Sequence, residues 1–204
     1  MSRDWVKPPG PVAQGLRIGL LGGSFNPAHA GHQHVSEVGL RRLGLDYVWW
    51  LVSPQNPLKP RRGMAALSER LAKARACARL PREIVTGIEQ ELGTRYTHDT
   101  VRALLTRFPE PRFVWLMGSD NLAQFDHWRA WTEIASLLPV AVVIRPGSTL
   151  APLFAKAAQR YARNRVAPSP GFANLSPPAL AIVDDPRNPL SGTTIRNRVT
   201  NPSQ

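Results

Sequence analysis

The stretch RIGLLGGSFNPAHAGH, Arg17 to His32, decides the architecture. Its first seven residues are a short apolar run closed by Gly22 and Gly23, the pattern of a strand buried on both faces. From His32 to Leu43 polar and apolar side chains mix as they do in a helix. Four further apolar runs follow: YVWWLVS (Tyr47 to Ser53), RFVWLMG (Arg112 to Gly118), PVAVVIRP from Pro139 and ALAIVD from Ala179. EIVTG, from Glu83, is a shorter one. Between them lie helical stretches. Ser68 is placed to cap ERLAKARACARL, where Leu71, Ala74 and Ala78 recur at helical spacing, and Thr97 or Asp99 opens a helix ending near Arg107. Strands alternating with helices predict an α/β fold with a Rossmann-like parallel sheet and helices on both faces. In such sheets ligands bind at the carboxyl ends of the strands.

The chain has 204 residues, of which 43% are hydrophobic and 20% charged, so it can bury a core without staples and is not disordered as a whole. Residues 1–15, with Pro8, Pro9, Gly10 and Pro11, read as a flexible lead-in to a single domain over 16–204. The stretch Tyr161 to Pro178 reads as an excursion before the last strand. One cysteine, Cys77, excludes an internal disulfide framework, a cysteine-cluster zinc site and an iron-sulfur cluster. It reads as a small buried apolar residue in a protein of the reducing cytoplasm. No stretch approaches the ~18 apolar residues of a membrane span, and the start lacks the apolar segment of a signal peptide. The formal charge of +12 attracts polyanions, yet the basic residues are scattered, and a solvated basic surface accounts for most of them.

Chemistry concentrates in the turn GGSFNPAHAGH, Gly22 to His32. Gly22 and Gly23 let the backbone approach a ligand, and the helix that follows aims N–H groups at an anion. The spacing is neither GxGxxG nor a Walker A loop, so the dehydrogenase and P-loop readings lose support. His29 and His32 stand where each imidazole can donate to phosphate oxygens, or can simply cap the helix. Two histidines without a third ligand make zinc the weaker alternative. Near the other end, PLSGTTIRNR (Pro189 to Arg198) sets hydroxyls and a glycine before a helix bearing Arg196, which makes a second anion cradle or a plain capped helix.

HAGH and SGTTIR resemble the two signatures of the nucleotidylyltransferase superfamily, HxGH and ISSTxxR, the second matching at Ser191, Thr193 and Arg196. NPLK around Lys59, RYTHDT (Arg95 to Thr100) and GSDNLAQFDHWRAW (Gly118 to Trp131) are similar to the bacterial nicotinate-nucleotide adenylyltransferases within it. The resemblance runs from about Arg17 to Val199. Leu190 and Gly192 depart from the second signature, and Asn26 stands where many members have Asp. It implies transfer of the adenylyl group of ATP to nicotinate mononucleotide, giving deamido-NAD and pyrophosphate, with no protein nucleophile and with Mg²⁺ held mainly by the ATP phosphates and water. His29, His32, Lys59 and Arg196 are implied on the triphosphate, beside Ser191 and Thr193. Gly22, Gly23, Ser24, Phe25, Asn26 and Gly118 would lie against substrate. Trp128 would stack on the pyridine ring, Tyr96 and Thr97 would complete that pocket with Arg129, and Asp120 would contact the ribose or phosphate neighbourhood.

Trp49, Trp50 and Trp115 read as core, and Trp131 as packing. His34, His98 and His127 read as surface or packing residues, and Asp184 with Asp185 as an acidic loop pair. Two rivals stay open: a transferase for another phosphorylated acceptor, and a non-enzymatic nucleic-acid binder. No nucleic acid or membrane partner is expected of the first reading, and a homo-oligomer remains possible.

Overall fold

The computed structural model describes residues 6–54, 63–144 and 151–185. β1 (Arg17–Gly23) runs through the middle of the sheet and leads into α1 (Ala30–Arg42). β2 (Tyr47–Val52), α2 (Leu67–Cys77), β3 (Glu83–Thr86), α3 (Ile88–Leu92) and α4 (Thr97–Arg107) complete the first half. The second half comprises β4 (Arg112–Gly118), α5 (Ser119–Leu122), α6 (Trp131–Leu137), β5 (Val140–Ile144), α7 (Lys156–Arg160), β6 (Arg165–Val166) and β7 (Leu180–Asp184). These strands form one seven-stranded sheet in the order β3-β2-β1-β4-β5-β7-β6, and every neighbouring pair is parallel. The order reverses beside β1, between β2 and β4, which is where the carboxyl ends of an α/β sheet open a crevice.

Side chains alternate across each strand and build one core per face. Ile18, Leu20, Trp49, Leu51, Phe113, Trp115 and Met117 face α4, α6 and α7, which contribute Val101, Leu104, Ile134, Ala135, Ala157 and Ala158. Leu21, Val48, Trp50, Val114, Leu116, Ala141 and Val143 face α1 and α2, which contribute Val35, Val38, Leu40 and Ala74. Helices thus cover both faces, as the alternation predicts. Trp49, Trp50 and Trp115 are core residues, at most 1% exposed.

Several local expectations change. The N-cap of α2 is Ala66 without a side-chain bond, so Ser68 lies inside the first turn rather than capping it. Residues 6–15 form neither helix nor strand, but Val6 and Val12 pack against the core and Gly10 fits against Ile84. That part of the lead-in is anchored, because a proline-rich segment can lie on a sheet face without a hydrogen-bond ladder. Cys77 is only half-buried, at the last turn of α2. The excursion Tyr161 to Pro178 contains β6, a two-residue edge strand. Asp184 and Asp185 do not form a loop pair. Asp184 ends β7 and is exposed, whereas Asp185 is buried and ion-paired with Arg41 of α1.

Candidate active site

A cleft of about 570 Å³ opens at the carboxyl ends of β1 and β4. Gly22 and Gly23 end one strand, Gly118 ends the other, and all three line it. Ser24, Phe25, Asn26, His29 and His32 enter from the turn after β1, Tyr96 and Thr97 from the start of α4, Asp120 from α5, and Trp128 and Arg129 from the loop before α6. Every described residue singled out from the sequence therefore lies on one cavity. Lys59, Ser191, Thr193 and Arg196, and with them the second cradle, lie outside the described residues.

The two histidines cap α1 and face the cleft at once. His29 is the N-cap, and its Nδ1 accepts from the Gly31 N–H at 3.1 Å. His32 Nδ1 accepts in turn from the His29 N–H at 3.3 Å, and the two rings are 4.0 Å apart. A ring whose Nδ1 accepts a backbone hydrogen carries its own proton on Nε2. Both rings thereby carry their proton on Nε2, on side chains that cap α1 and line the cleft. Phe25 supports the pair, its ring 4.5 Å from His32 and stacked at 5.4 Å on Trp50. Phe25 adopts φ 47°, in the left-handed region, a conformation that a non-glycine residue keeps only when its surroundings impose it. Asn26 fastens the turn from the other side: its Nδ2 donates to the Gly63 carbonyl at 3.1 Å and its Oδ1 accepts from the Ala65 N–H at 3.3 Å.

Gly22 answers to packing more than to a ligand. A Cβ there would lie 2.5 Å from the Trp115 indole, whereas one on Gly23 would meet Phe25 at an ordinary 3.4 Å and His32 Nε2 at 3.9 Å. Of the two glycines, Gly23 is the one whose missing side chain leaves the cleft open.

Opposite the histidines, Trp128 packs edge-on against Trp115 at 6.0 Å and Phe125 at 5.3 Å while lining the cleft. It is a partly buried wall, held by the core along one edge. Trp131 is packing, between Phe125 and Tyr161. Ala130, at φ 51°, turns the chain between Arg129 and α6. The Arg129 guanidinium sits 4.8 Å over the Tyr96 ring and donates to Asp99 at 3.4 Å, which ties the loop to the first turn of α4.

Some lining residues were not read from the sequence as site residues. Arg95, Asn121, Gln124 and His127 reach the cleft, His127 from an exposed position. His34 is buried, and His98 is buried with its ring nitrogens 3.1 Å from Asp99 and 2.9 Å from Glu133. Glu89 lines the cleft as a buried carboxyl that accepts from the Thr100 hydroxyl at 3.1 Å. Burial pushes its pKa up, against hydrogen bonds from Thr100 and Ser53 that favour the charged form. Arg70, one of the scattered basic residues, is 1% exposed and so is not among those that a solvated surface accounts for. Nothing in the local pattern distinguishes a buried Glu or Arg from a solvated one, because their partners come from distant turns.

Sheet order, switch-point cleft and histidine-capped turn define a Rossmann-like α/β protein of the nucleotidyltransferase class. The chain belongs to the cytidylyltransferase-like family, whose model matches residues 20–198. A protein of Methylorubrum extorquens named "probable nicotinate-nucleotide adenylyltransferase" is 55% identical over 185 residues, covering 90% of this chain and 100% of that one. One of the same name from Parvibaculum lavamentivorans is 55% identical, covering 92% of this chain and 94% of its own length. The solved structure of the nicotinic acid mononucleotide adenylyltransferase of Plasmodium falciparum, complexed with NaAD, superposes with a TM-score of 0.65 at 13% identity, over 88% of this chain and 79% of that one. At that identity it bears on the fold alone.

Proposed function

We infer that this protein transfers the adenylyl group of ATP to nicotinate mononucleotide, releasing pyrophosphate and forming deamido-NAD in NAD biosynthesis. The observation that carries the reading is one cleft with two unlike walls: a glycine turn with two Nε2–H donors on one side, and a tryptophan wall with a helix start on the other. Relatives at 55% identity over nearly their whole length bear the name of this enzyme. A phosphate oxygen of the mononucleotide attacks the α-phosphorus of ATP; the new P–O bond forms as the bond to the β-phosphate bridging oxygen breaks, and pyrophosphate carries away that electron pair. No protein nucleophile is required. The residues position two anions and neutralise charge as it develops.

In this reading the triphosphate lies over Gly22 to Asn26, within reach of His29 and His32, with Lys59, Ser191, Thr193 and Arg196 assigned to it from the sequence. The pyridine ring stacks on Trp128. Thr97 at the start of α4, and the backbone at Trp128 and Arg129, offer donors to the ring carboxylate. Asp120 is assigned to the ribose or phosphate neighbourhood. Among the described residues no cluster of three His, Cys, Asp or Glu could cage a metal ion, and the cleft offers two carboxyl groups, Glu89 and Asp120. That donor set fits Mg²⁺ carried in by ATP phosphates and water, where the ion would offset phosphate charge. No helix of the described residues is long and apolar enough to cross a membrane. A cytoplasmic location, where ATP is made available, fits the reading.

Pyrophosphate release from ATP and Mg²⁺ across a panel of phosphorylated acceptors tests it. Nicotinate mononucleotide should be used in preference to nicotinamide mononucleotide by about ten- to a hundredfold, because the amide leaves donors facing it unpaired. Equal use of the two, or turnover only with a different acceptor, would refute the assignment.

A further inference from the structure

We propose that Arg70 is a positioning residue for the nucleoside triphosphate, a buried guanidinium that fixes the donor face of the turn after β1; this rests on the adenylyl-transfer reading above. From the first turn of α2, Arg70 reaches under the sheet ends. Its Nη1 donates to the carbonyls of Ser24 and Ser53, both at 2.7 Å, its Nη2 to that of Pro54 at 2.9 Å, and its Nε to that of Ala65 at 3.0 Å. One planar fork thus joins the turn after β1, the end of β2 and the approach to α2. Ser53 is itself tied to β1, its N–H donating to the Gly23 carbonyl at 2.9 Å.

Three features separate this from ordinary packing. Arg70 is 1% exposed, and among the described residues no carboxylate forms an ion pair with it. An apolar side chain could fill the space without desolvating a cation, so a buried charge whose partners among the described residues are carbonyl dipoles calls for another role. The peptide bond is planar and trans, so a Ser24 carbonyl drawn toward Arg70 turns the Phe25 N–H the opposite way. Ser24 and Phe25 both line the cleft, and Phe25 holds φ 47°, a conformation the bond to Ser24 helps impose. The arrangement orients one amide donor and keeps a positive charge behind the wall that the phosphates would face. Lys could supply the charge but not the fork.

The test compares wild type with Arg70→Met and Arg70→Lys, each shown by its melting curve to be folded at the assay temperature. ATP binding is measured by calorimetry without acceptor, and pyrophosphate release gives kcat and both KM values. Weakened ATP binding and a fall in kcat of about tenfold or more in both variants are expected, with KM for nicotinate mononucleotide within about twofold, since Tyr96, Thr97, Trp128 and Arg129 stand on other elements. Added guanidinium at non-denaturing concentration should restore part of the activity of Arg70→Ala. In wild type the Phe25 amide resonance should shift on ATP binding, a readout that needs no variant. Lower melting temperature with unchanged ATP affinity and kcat would overturn the proposal, as would full activity of Arg70→Lys or an unmoved Phe25 amide. A wild type that binds ATP but adenylates no nicotinate mononucleotide would overturn the functional reading instead, leaving the ATP-binding comparison to decide Arg70.

Discussion

Glu89 is a buried carboxyl group in the wall of a cleft suited to anions. Its pKa is raised from an ordinary value near 4.5, chiefly by desolvation, which makes it a weaker acid than a solvated glutamate. The consequence for stability has a definite sign. Below about 4.5 the group is protonated in both folded and unfolded chains. As pH rises toward the folded pKa, the unfolded chain releases its proton more readily, so the stabilisation present at low pH is lost. Glu89→Gln keeps the shape and the acceptor for Thr100 without the titration. Its melting temperature should match that of wild type near pH 4 and exceed it by about one to a few degrees at pH 8; a constant difference across that range would contradict the shift. His32 makes the complementary case. Its Nδ1 is engaged by the His29 N–H, which leaves the ring proton on Nε2, and the residue lines the cleft. His32→Ala should lower turnover at saturating substrate by ~10²-fold with the protein still folded, and near-normal turnover would return this residue to a capping role.

The turn between β1 and α1 divides its work between two adjacent glycines. Gly22→Ala would drive a methyl to 2.5 Å from Trp115, which is 1% exposed and leans on Trp128. It should cost about 1–3 kcal/mol in denaturant unfolding, as overpacked cores do, and disturb acceptor binding through Trp128. Gly23→Ala meets only ordinary contacts, so its stability should stay close to that of wild type while turnover falls, since the methyl stands between the turn and His32. The opposite pattern would reverse these roles. Both glycines carry the same signal in sequence, because a pattern shows that a side chain is missing but not which neighbour occupies the space. The same limit explains what else was and was not legible. β1, β2 and β4 are unmistakable, since strands covered on both faces are unbroken apolar runs, and α1 and α4 are long enough to show a period. α3, α5, α6 and α7 span at most seven residues, too short for helical periodicity to stand out, and β6 has two exposed residues with no alternation. At the site, the histidine turn and the Tyr96–Thr97 and Trp128–Arg129 pairs were legible as contiguous motifs. Glu89 and Arg70 were not, because burial of a charged residue is decided by carbonyls and hydroxyls supplied from other elements.

At the scale of the whole molecule, the formal charge of +12 meets a reaction whose two substrates are both polyanions. Within the described cleft the arginines stand outward, Arg95 exposed on the rim and the Arg129 side chain 59% exposed, whereas Glu89 is buried. Asp120 and Glu89 are the two carboxyls among the lining residues. A net surplus of one sign creates a field that raises the local concentration and capture rate of the opposite ion. Such a field is screened over about 8 Å at physiological ionic strength and about 3 Å at 1 M, whereas contacts made by buried groups are screened much less. Steering should therefore appear in kcat/KM and not in kcat. Raising salt from about 20 mM to about 500 mM should lower kcat/KM for both substrates by about tenfold with kcat little changed. Arg95→Gln should flatten that dependence with kcat little altered, since Arg95 is exposed on the rim, while a substitution at Arg163, which does not line the cleft, should shift it far less. A kcat/KM indifferent to salt would mean that the basic surface serves solubility rather than capture, and a parallel fall in kcat would place the salt effect on the chemical step instead.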